Sequence, residues 1–210
     1  LEIYRDRFQG ANDFTFVFVG NFDNDSIRQY ICQYLAALPK VKRNDKAVDN
    51  HYNIREGEYT NRFLRKMEEP QTAMIQYLQA PIENTLRNQL TADILGQVLT
   101  MRLLEVVRED MGAAYTISAS CGISKISDGS CRVNIQIYAP VKPEMCDSAL
   151  LVIDQELQKV AREGAEDKYV SKVKEYLLKT YTENERKNPT WIIKNNAFNF
   201  NGADTSADEA

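Results

Sequence analysis

The sequence contains a single histidine, His51, and its four cysteines show no CxxC spacing. Neither a metallopeptidase helix with histidines at i and i+4 nor a site of three histidines can therefore form within this chain. The cysteines are predicted to be buried free thiols rather than disulfide partners or metal ligands; they are Cys32, Cys121, Cys131 and Cys146. The sequence thus predicts no metal site of its own.

Other common site patterns are also missing. Gly20, Gly96, Gly112 and Gly129 are isolated, so no glycine-rich phosphate loop is present. No apolar run approaches the roughly 18 residues that a membrane-spanning helix needs. The net charge of −4 argues against a nucleic-acid surface, which usually has a clustered basic excess. We therefore expect neither a nucleic-acid partner nor a membrane-spanning segment.

The composition, with 43% apolar and 27% charged residues, is that of a globular protein. The sequence begins at Leu1 rather than at a methionine, so we interpret it as a fragment or a processed product. The compartment of the parent protein, cell envelope or cytoplasm, therefore stays open. Residues 201–210 are small, polar and acidic, and are predicted to be a frayed tail.

Periodicity predicts β-strands and helices in the first half of the chain. Residues 14–20, FTFVFVG, are typical of a buried strand. A helix capped by Asp23 or Asp25 follows and ends at Pro39. Residues 40–60 form a polar loop or linker that contains His51, for which a solvated loop position is favoured over a Ser-His-Asp triad. Residues 62–69 and 72–80 are predicted to pair as antiparallel strands.

The second half is predicted to alternate a long helix, a hairpin and three further helices. The long helix runs from about 83 to 109 and has an apolar arc broad enough for burial on more than one side. Strands at 115–124 and 130–139 alternate apolar and polar residues, with a turn at 127–129. Helices follow at about 143–163, at about 167–187 and after Pro189. Taken together, the pattern predicts an α+β two-layer sandwich with an antiparallel or mixed sheet and helices on one face, forming a single domain over residues 1–200.

Arg108 and Tyr115 stand seven residues apart where the long helix gives way to a strand, in the stretch VVREDMGAAYTIS (106–118). A cation at a helix C-terminus is stabilised by the last carbonyls, and a tyrosine can simply pack its ring on a sheet edge. Alternatively, the two side chains offer hydrogen-bond donors to a peptide carbonyl and stabilise the oxyanion formed when an amide is hydrolysed. In that case another domain must supply the metal and the general base.

Two stretches resemble the pitrilysin/insulinase family of zinc metallopeptidases. Residues 4–39, YRDRFQGANDFTFVFVGNFDNDSIRQYICQYLAALP, are similar to that family's helix end, "VVVG-D" strand and helix ending in "LP". Residues 108–119, REDMGAAYTISA, are similar to its segment "R-E-x-x-G-x-A-Y-x-x-x-A". The resemblance extends from about residue 4 to about residue 190.

The resemblance implies a peptidase of two halves that close around a peptide or unfolded polypeptide. This chain resembles the C-terminal, non-zinc-binding part; zinc is expected in the missing N-terminal half, of the same or a partner chain, which carries an inverted His-x-x-Glu-His helix. Carried over residue by residue, Arg108 would bind and position the substrate backbone, and Tyr115 would donate to the scissile carbonyl. The chain alone should then be inactive.

Two alternatives remain at this point. A non-catalytic binding or assembly subunit can keep the same fold, as some processing-peptidase partners and respiratory-complex core proteins do. Retention of both Arg108 and Tyr115 favours the peptidase, because a scaffold has no chemical need for the pair. An unrelated α+β domain is the third possibility.

Overall fold

The computed structural model describes residues 1–12, 14–41, 55–66, 68, 70, 72–126 and 129–201. The chain divides into two compact units, one formed by Leu1–Val48 with Lys179–Ala210 and the other by Asp49–Leu178. The single domain over residues 1–200 stays a prediction. Most of the predicted loop at 40–60, including His51, and nearly all of the predicted tail at 201–210 lie outside the described residues.

Six α-helices and three β-strands are formed in the described ranges. The helices are α1 (Glu2–Arg7), α2 (Asn24–Tyr30), α3 (Leu86–Leu103), α4 (Cys146–Glu163), α5 (Asp167–Asn184) and α6 (Asn188–Asn201); the strands are β1 (Thr72–Pro81), β2 (Ser118–Lys125) and β3 (Cys131–Val141). Helices α2 and α3 continue as π-helical segments, Ile31–Leu35 and Leu104–Asp110. None of the described helices is long and apolar enough to cross a membrane. All five predicted helices are confirmed within a few residues.

Helix α2 shows why the sequence places its start correctly. The Asp23 carboxylate accepts a hydrogen bond of 2.8 Å from the Ser26 backbone N–H, which satisfies one of the amides that a helix start leaves unpaired. This bond lowers the pKa of Asp23.

The sheet has the order β1-β3-β2, and both outer strands are antiparallel to β3. The hairpin of β2 and β3 is confirmed, although Ser127 and Asp128 of its turn lie outside the described residues. Alternate residues of the strands point to one face, where Ile137, Ala139 and Val141 of β3 are buried. The other face is open: Tyr77 and neighbouring side chains are exposed there. The α+β class with an antiparallel sheet is therefore confirmed.

Helix α3 is buried on two sides, as its broad apolar arc predicts. Leu103, with Val106 and Val107 just beyond its end, joins the sheet and α4 in the main core, whereas Val98 packs with Tyr169 and Val173 of α5. Leu90, an apolar residue in the first half of α3, is about half exposed. The C-terminal half of α3 is thus fixed against both the sheet and α5.

Residues 14–20 do not form the predicted buried strand. They adopt no regular secondary structure, and Phe14, Phe16 and Phe18 are exposed. A strand is stabilised by hydrogen bonds to a neighbouring strand, and all three paired strands of the described chain lie in the unit Asp49–Leu178. The composition of residues 14–20 favours an extended segment, but composition does not determine whether a neighbouring strand is available to pair with it.

Two further predictions are wrong. Residues 62–66 form no strand and do not pair with β1; the partner of β1 is β3, along its whole length, and Phe63 and Leu64 are exposed. The four cysteines are free thiols but none is fully buried: Cys32 is exposed and the others are half-buried.

Candidate functional site

The segment 106–118 joins the end of α3 to β2, and its apolar side chains fix it to the core. Val107 and Ala113 are fully buried, and Val106, Ala114 and Ile117 are less than one-tenth exposed. Burial of these side chains removes apolar area from water, which stabilises their positions. The backbone that carries Arg108 and Tyr115 is therefore held by packing on both sides.

A glycine turn ends the helical part of this segment. Gly112 has φ of +61°, a left-handed conformation that suits a residue without Cβ. Its N–H donates to the Arg108 carbonyl at 3.1 Å, and the Ala113 N–H donates to the Val107 carbonyl at 3.0 Å. The carbonyl of Ala113 then accepts a hydrogen bond of 2.9 Å from the N–H of Lys142, just after β3. The chain direction between Arg108 and Tyr115 is thus set by backbone hydrogen bonds.

Tyr115 lies in an irregularity of the β-pairing. Ala114 faces Val141 across an isolated bridge, and Ser118 faces Tyr138 in β2. The stretch from Ala114 to Ser118 spans four residue steps, whereas the stretch opposite, from Val141 to Tyr138, spans three. The first stretch therefore contains the extra residue of a β-bulge. A bulge redirects side chains, and Tyr115 is 91% exposed although Ala114 beside it is buried.

Arg108 and Tyr115 are both directed into solvent. Neither side chain has a hydrogen-bond or ion-pair partner among the residues that the structure describes, so their donors are available. Arg108 lies in the last turn of the helix, where the carbonyl dipoles favour a cation. The structure thus brings the two predicted site residues to opposite ends of one anchored turn, with both side chains free to bind.

The Arg108 guanidinium and the Tyr115 phenol are hydrogen-bond donors that donate to no acceptor among the described residues. Arginine has five N–H donors that match carbonyl or carboxylate oxygens, and tyrosine has one O–H. Such a set can bind a peptide backbone and stabilise negative charge on a carbonyl oxygen. The described residues contain no group of three or more His, Cys, Asp or Glu side chains placed to hold a metal ion.

The open face of the sheet carries polar groups in the strand rows that follow the segment 106–118. Tyr77, Gln136 and Ser120 form one cross-strand row, and Asn134 and Gly122 belong to the next. These residues line a shallow groove across the three strands. Amide and hydroxyl groups of this kind can form hydrogen bonds with an extended peptide.

Sequence reasoning missed a half-buried ionic network behind the segment. Arg102 of α3 donates twice to Glu156 of α4, through Nε at 2.8 Å and Nη2 at 3.1 Å. The Tyr169 hydroxyl of α5 donates to Glu105, and Lys168 lies 3.7 Å from the same carboxylate. The hydrogen bonds to Glu156 raise the pKa of Arg102. A charged residue on the apolar arc of a long helix was the available signal for this network.

Glu105 gives the network a pH dependence. The Tyr169 hydrogen bond, aided by Lys168 and Arg102, holds the pKa of Glu105 below its ordinary value of 4.5, although desolvation acts in the opposite direction. A lowered folded pKa contributes stability that is present above the unfolded pKa and is lost as pH falls through the folded pKa. The stabilising contribution of Glu105 should therefore persist down to about 4.5 and disappear below it.

The substitution Glu105→Gln tests this pH dependence, through the free energy of unfolding of the variant and of the wild type. The wild type should be the more stable near neutral pH, and the difference should shrink as the pH falls below about 4.5. Urea unfolding of both proteins at a series of pH values measures the difference in their free energies of unfolding. In a Tyr169→Phe background, which removes the main cause of the shift, the pH dependence should be smaller; a difference independent of pH would contradict the assignment.

Comparisons with known proteins bear on the family and the fold of the chain. The sequence profile of the peptidase M16 inactive domain matches residues 1–177. The crystal structure of the periplasmic protease PqqL from Escherichia coli has a similar fold, with a TM-score of 0.57, 17% sequence identity and coverage of 85% of this chain. The match covers 20% of the PqqL chain, so this chain spans about a fifth of that protein. No curated protein matches the sequence significantly.

The profile match includes both stretches on which the resemblance was based, residues 4–39 and 108–119. It covers well over half of the chain, and the fold likeness is independent support for the same α+β architecture. The chain therefore belongs to the M16, or pitrilysin/insulinase, family of peptidases, in which it corresponds to the inactive C-terminal domain.

Proposed function

We propose that this chain is the substrate-contacting, non-zinc-binding part of a zinc-dependent endopeptidase and that it closes the chamber around a peptide. The observation that carries the proposal is the arrangement of Arg108 and Tyr115. Both side chains project into solvent from a segment whose neighbouring residues are buried, and neither has a partner in the described parts of the chain. Donors on a fixed backbone are pre-organised, which is what substrate recognition and oxyanion stabilisation require.

In the proposed mechanism the two residues have different roles. The Arg108 guanidinium donates to a carbonyl of the substrate backbone and fixes the peptide's register. The Tyr115 hydroxyl donates to the oxygen of the scissile carbonyl, where negative charge grows as water attacks the amide. The polar groove across the sheet gives hydrogen-bonding groups to flanking parts of the same peptide.

Zinc does not fit the residues of this chain that the structure describes. A zinc site takes three or four His, Cys, Asp or Glu ligands, whereas the sequence has one histidine and the described residues hold no such cluster. The metal and the general base are therefore assigned to the N-terminal half, in the same or a partner chain. No step of the proposed mechanism on this chain passes through the metal.

The experiment replaces Arg108 by Ala in the peptidase assembled with its zinc-binding half. A hydrogen bond to a charged group contributes about 1.5–3 kcal/mol, so kcat/KM should fall by about ten- to a hundredfold, mainly through KM. Steady-state peptide cleavage measures both constants. Arg87→Ala, an exposed arginine at the other end of α3, is the matched control and should behave as wild type. Equal kinetics for the two variants would refute the role of Arg108.

A second candidate function is a non-catalytic assembly subunit, and one observation favours it. Tyr4, Phe8, Phe14 and Phe16 form a chain of ring contacts with successive centroid distances of 4.5, 5.6 and 6.1 Å, yet all four side chains are exposed. Exposed apolar surface of this kind is typical of an interaction site. If assembly is the whole function, replacing Arg108 or Tyr115 leaves the activity of the assembled protein unchanged.

A further inference from the structure

The π-helical segment Leu104–Asp110 carries Arg108, and it is held from behind by Glu105. Glu105 is the second residue of the segment and lies three positions before Arg108. Its carboxylate accepts a hydrogen bond from the Tyr169 hydroxyl and lies 3.4 Å from Arg102 Nη1 and 3.7 Å from Lys168 Nζ. One carboxylate of the segment is thus tied to residues of α3 and α5.

The groups that hold Glu105 are themselves fixed. Tyr169 is 4% exposed and packs with Val98 and Val173, so its ring position is set by the core. Arg102 is held by its two hydrogen bonds to Glu156, and both of these side chains are less than one-fifth exposed. Buried charged pairs with good geometry resist displacement because breaking them leaves an uncompensated charge. Glu105 therefore contacts a rigid support.

A π-helical segment needs such support. Its hydrogen bonds run from residue i to i+5, as the 3.3 Å bond from the Met111 N–H to the Val106 carbonyl does, and this geometry is rare in proteins. An α-helix turns by about 100° per residue, and a π-helix turns by less. If the segment returned to α-helical geometry, the residues after Leu103 would rotate about the helix axis and Arg108 would point in another direction.

We propose that Tyr169 and Glu105 are positioning residues, whose phenol–carboxylate bond keeps the segment Leu104–Asp110 π-helical and so sets the direction of Arg108. The inference rests on the proposed function, because it gives Arg108 a substrate to meet. Tyr169 touches neither Arg108 nor the substrate in this account. It acts through the helix geometry alone.

A double-mutant cycle in the peptidase assembled with its zinc-binding half tests the proposal. Tyr169→Phe removes the hydroxyl and keeps the buried ring, and should lower kcat/KM by about 2- to 30-fold, the usual range for coupling through packed networks. In the Arg108→Ala background the same change should have almost no further effect, because the side chain it positions is gone. Tyr176→Phe, the same substitution two turns along α5, should leave kcat/KM unchanged.

Glu105 supplies a second pair of variants that does not depend on the tyrosine. Glu105→Gln keeps an oxygen that can accept the Tyr169 hydrogen bond and should retain most of the activity, whereas Glu105→Ala should lose as much as Tyr169→Phe. Thermal unfolding of each variant identifies any that fail to fold.

The outcomes separate the two proposals. Loss of activity in Arg108→Ala with additive effects of Tyr169→Phe and Arg108→Ala overturns the positioning role and leaves the proposed function standing. Equal activity of Glu105→Gln and Glu105→Ala also overturns it, since the acceptor would then not matter. Unchanged activity in Arg108→Ala overturns both proposals at once.

Discussion

Tyr115→Phe in the assembled peptidase is expected to lower kcat by about 10²–10³, the usual effect of removing one donor to a developing oxyanion. KM should change little, because the hydrogen bond is strongest in the transition state rather than in the bound substrate. The substitution removes only the hydroxyl. Since the Tyr115 side chain is 91% exposed and has no partner among the described residues, stability should stay at the wild-type value.

Tyr59→Phe provides the matched control for this measurement. Tyr59 is also well exposed, at 62%, but lies outside the segment 106–118. The kcat of the Tyr59→Phe variant should therefore equal that of the wild type. Steady-state cleavage of one peptide by the three enzymes is sufficient. An equal kcat for all three would mean that Tyr115 is a surface tyrosine whose phenol only contacts water.

The largest expected effect on stability comes from Gly96→Ala, because Gly96 of α3 packs directly against the backbone of β2. A Cβ at this position would lie 2.7 Å from the Cys121 backbone nitrogen and 3.3 Å from the Ser120 carbonyl carbon. These are backbone atoms of a paired strand and cannot move aside independently. Overpacking of this kind costs about 1–3 kcal/mol, more than the roughly 0.5–1 kcal/mol that alanine gains over glycine within a helix.

The close approach of α3 to β2 bears on the candidate site because α3 leads directly into the segment that carries Arg108. Thr100, one turn after Gly96, accepts a hydrogen bond of 2.8 Å from the Ala119 N–H and so fixes the helix to the start of β2. Urea unfolding of Gly96→Ala measures the cost. Gly122→Ala is the control within β2: a Cβ there meets no atom within 4 Å, so the substitution should stabilise the protein by about 0.5–1 kcal/mol, the usual gain of alanine over glycine within a strand. Equal stability of the two variants would show that the approach is looser than the structure has it.

Local periodicity was sufficient where the partner lies near in sequence. The hairpin of β2 and β3 and the long helix α3 follow from alternation and from an apolar arc, and both were predicted close to their observed bounds. Residues 14–20 and 62–66 have equally apolar or alternating patterns, yet they form no strand. Pairing depends on which strand is available in space, and β3 pairs with β1 at positions about 60 residues away in the sequence, as the pair Gln76 and Ile137 shows.

The candidate site was only partly accessible from the sequence. The spacing of Arg108 and Tyr115 was compatible with ordinary structural roles, and family resemblance selected them. Their exposure depends on the Gly112 turn and on the extra residue between Ala114 and Ser118, neither of which has a unique sequence signal. The functions of both residues stay predictions.

The partners within the supporting network could not be derived from local pattern. Its key pairs, Tyr169 with Glu105 and Arg102 with Glu156, are separated by 64 and 54 residues. The charged Arg102 on the apolar arc of α3 indicates that a partner exists, but local pattern does not identify which of the several acidic residues of α4 it is. The packing of α5 on α3 selects the partners.

The most direct test of the central claim compares the affinity of two ligands for the assembled peptidase and its Tyr115→Phe variant. One ligand is an uncleavable peptide of the ground-state shape, and the other is a tetrahedral analogue of the transition state of the same peptide. The variant is expected to bind the peptide as the wild type does but to lose affinity for the analogue by about the factor lost in kcat. Equal affinity of the two enzymes for the analogue would contradict the claim that Tyr115 stabilises the transition state.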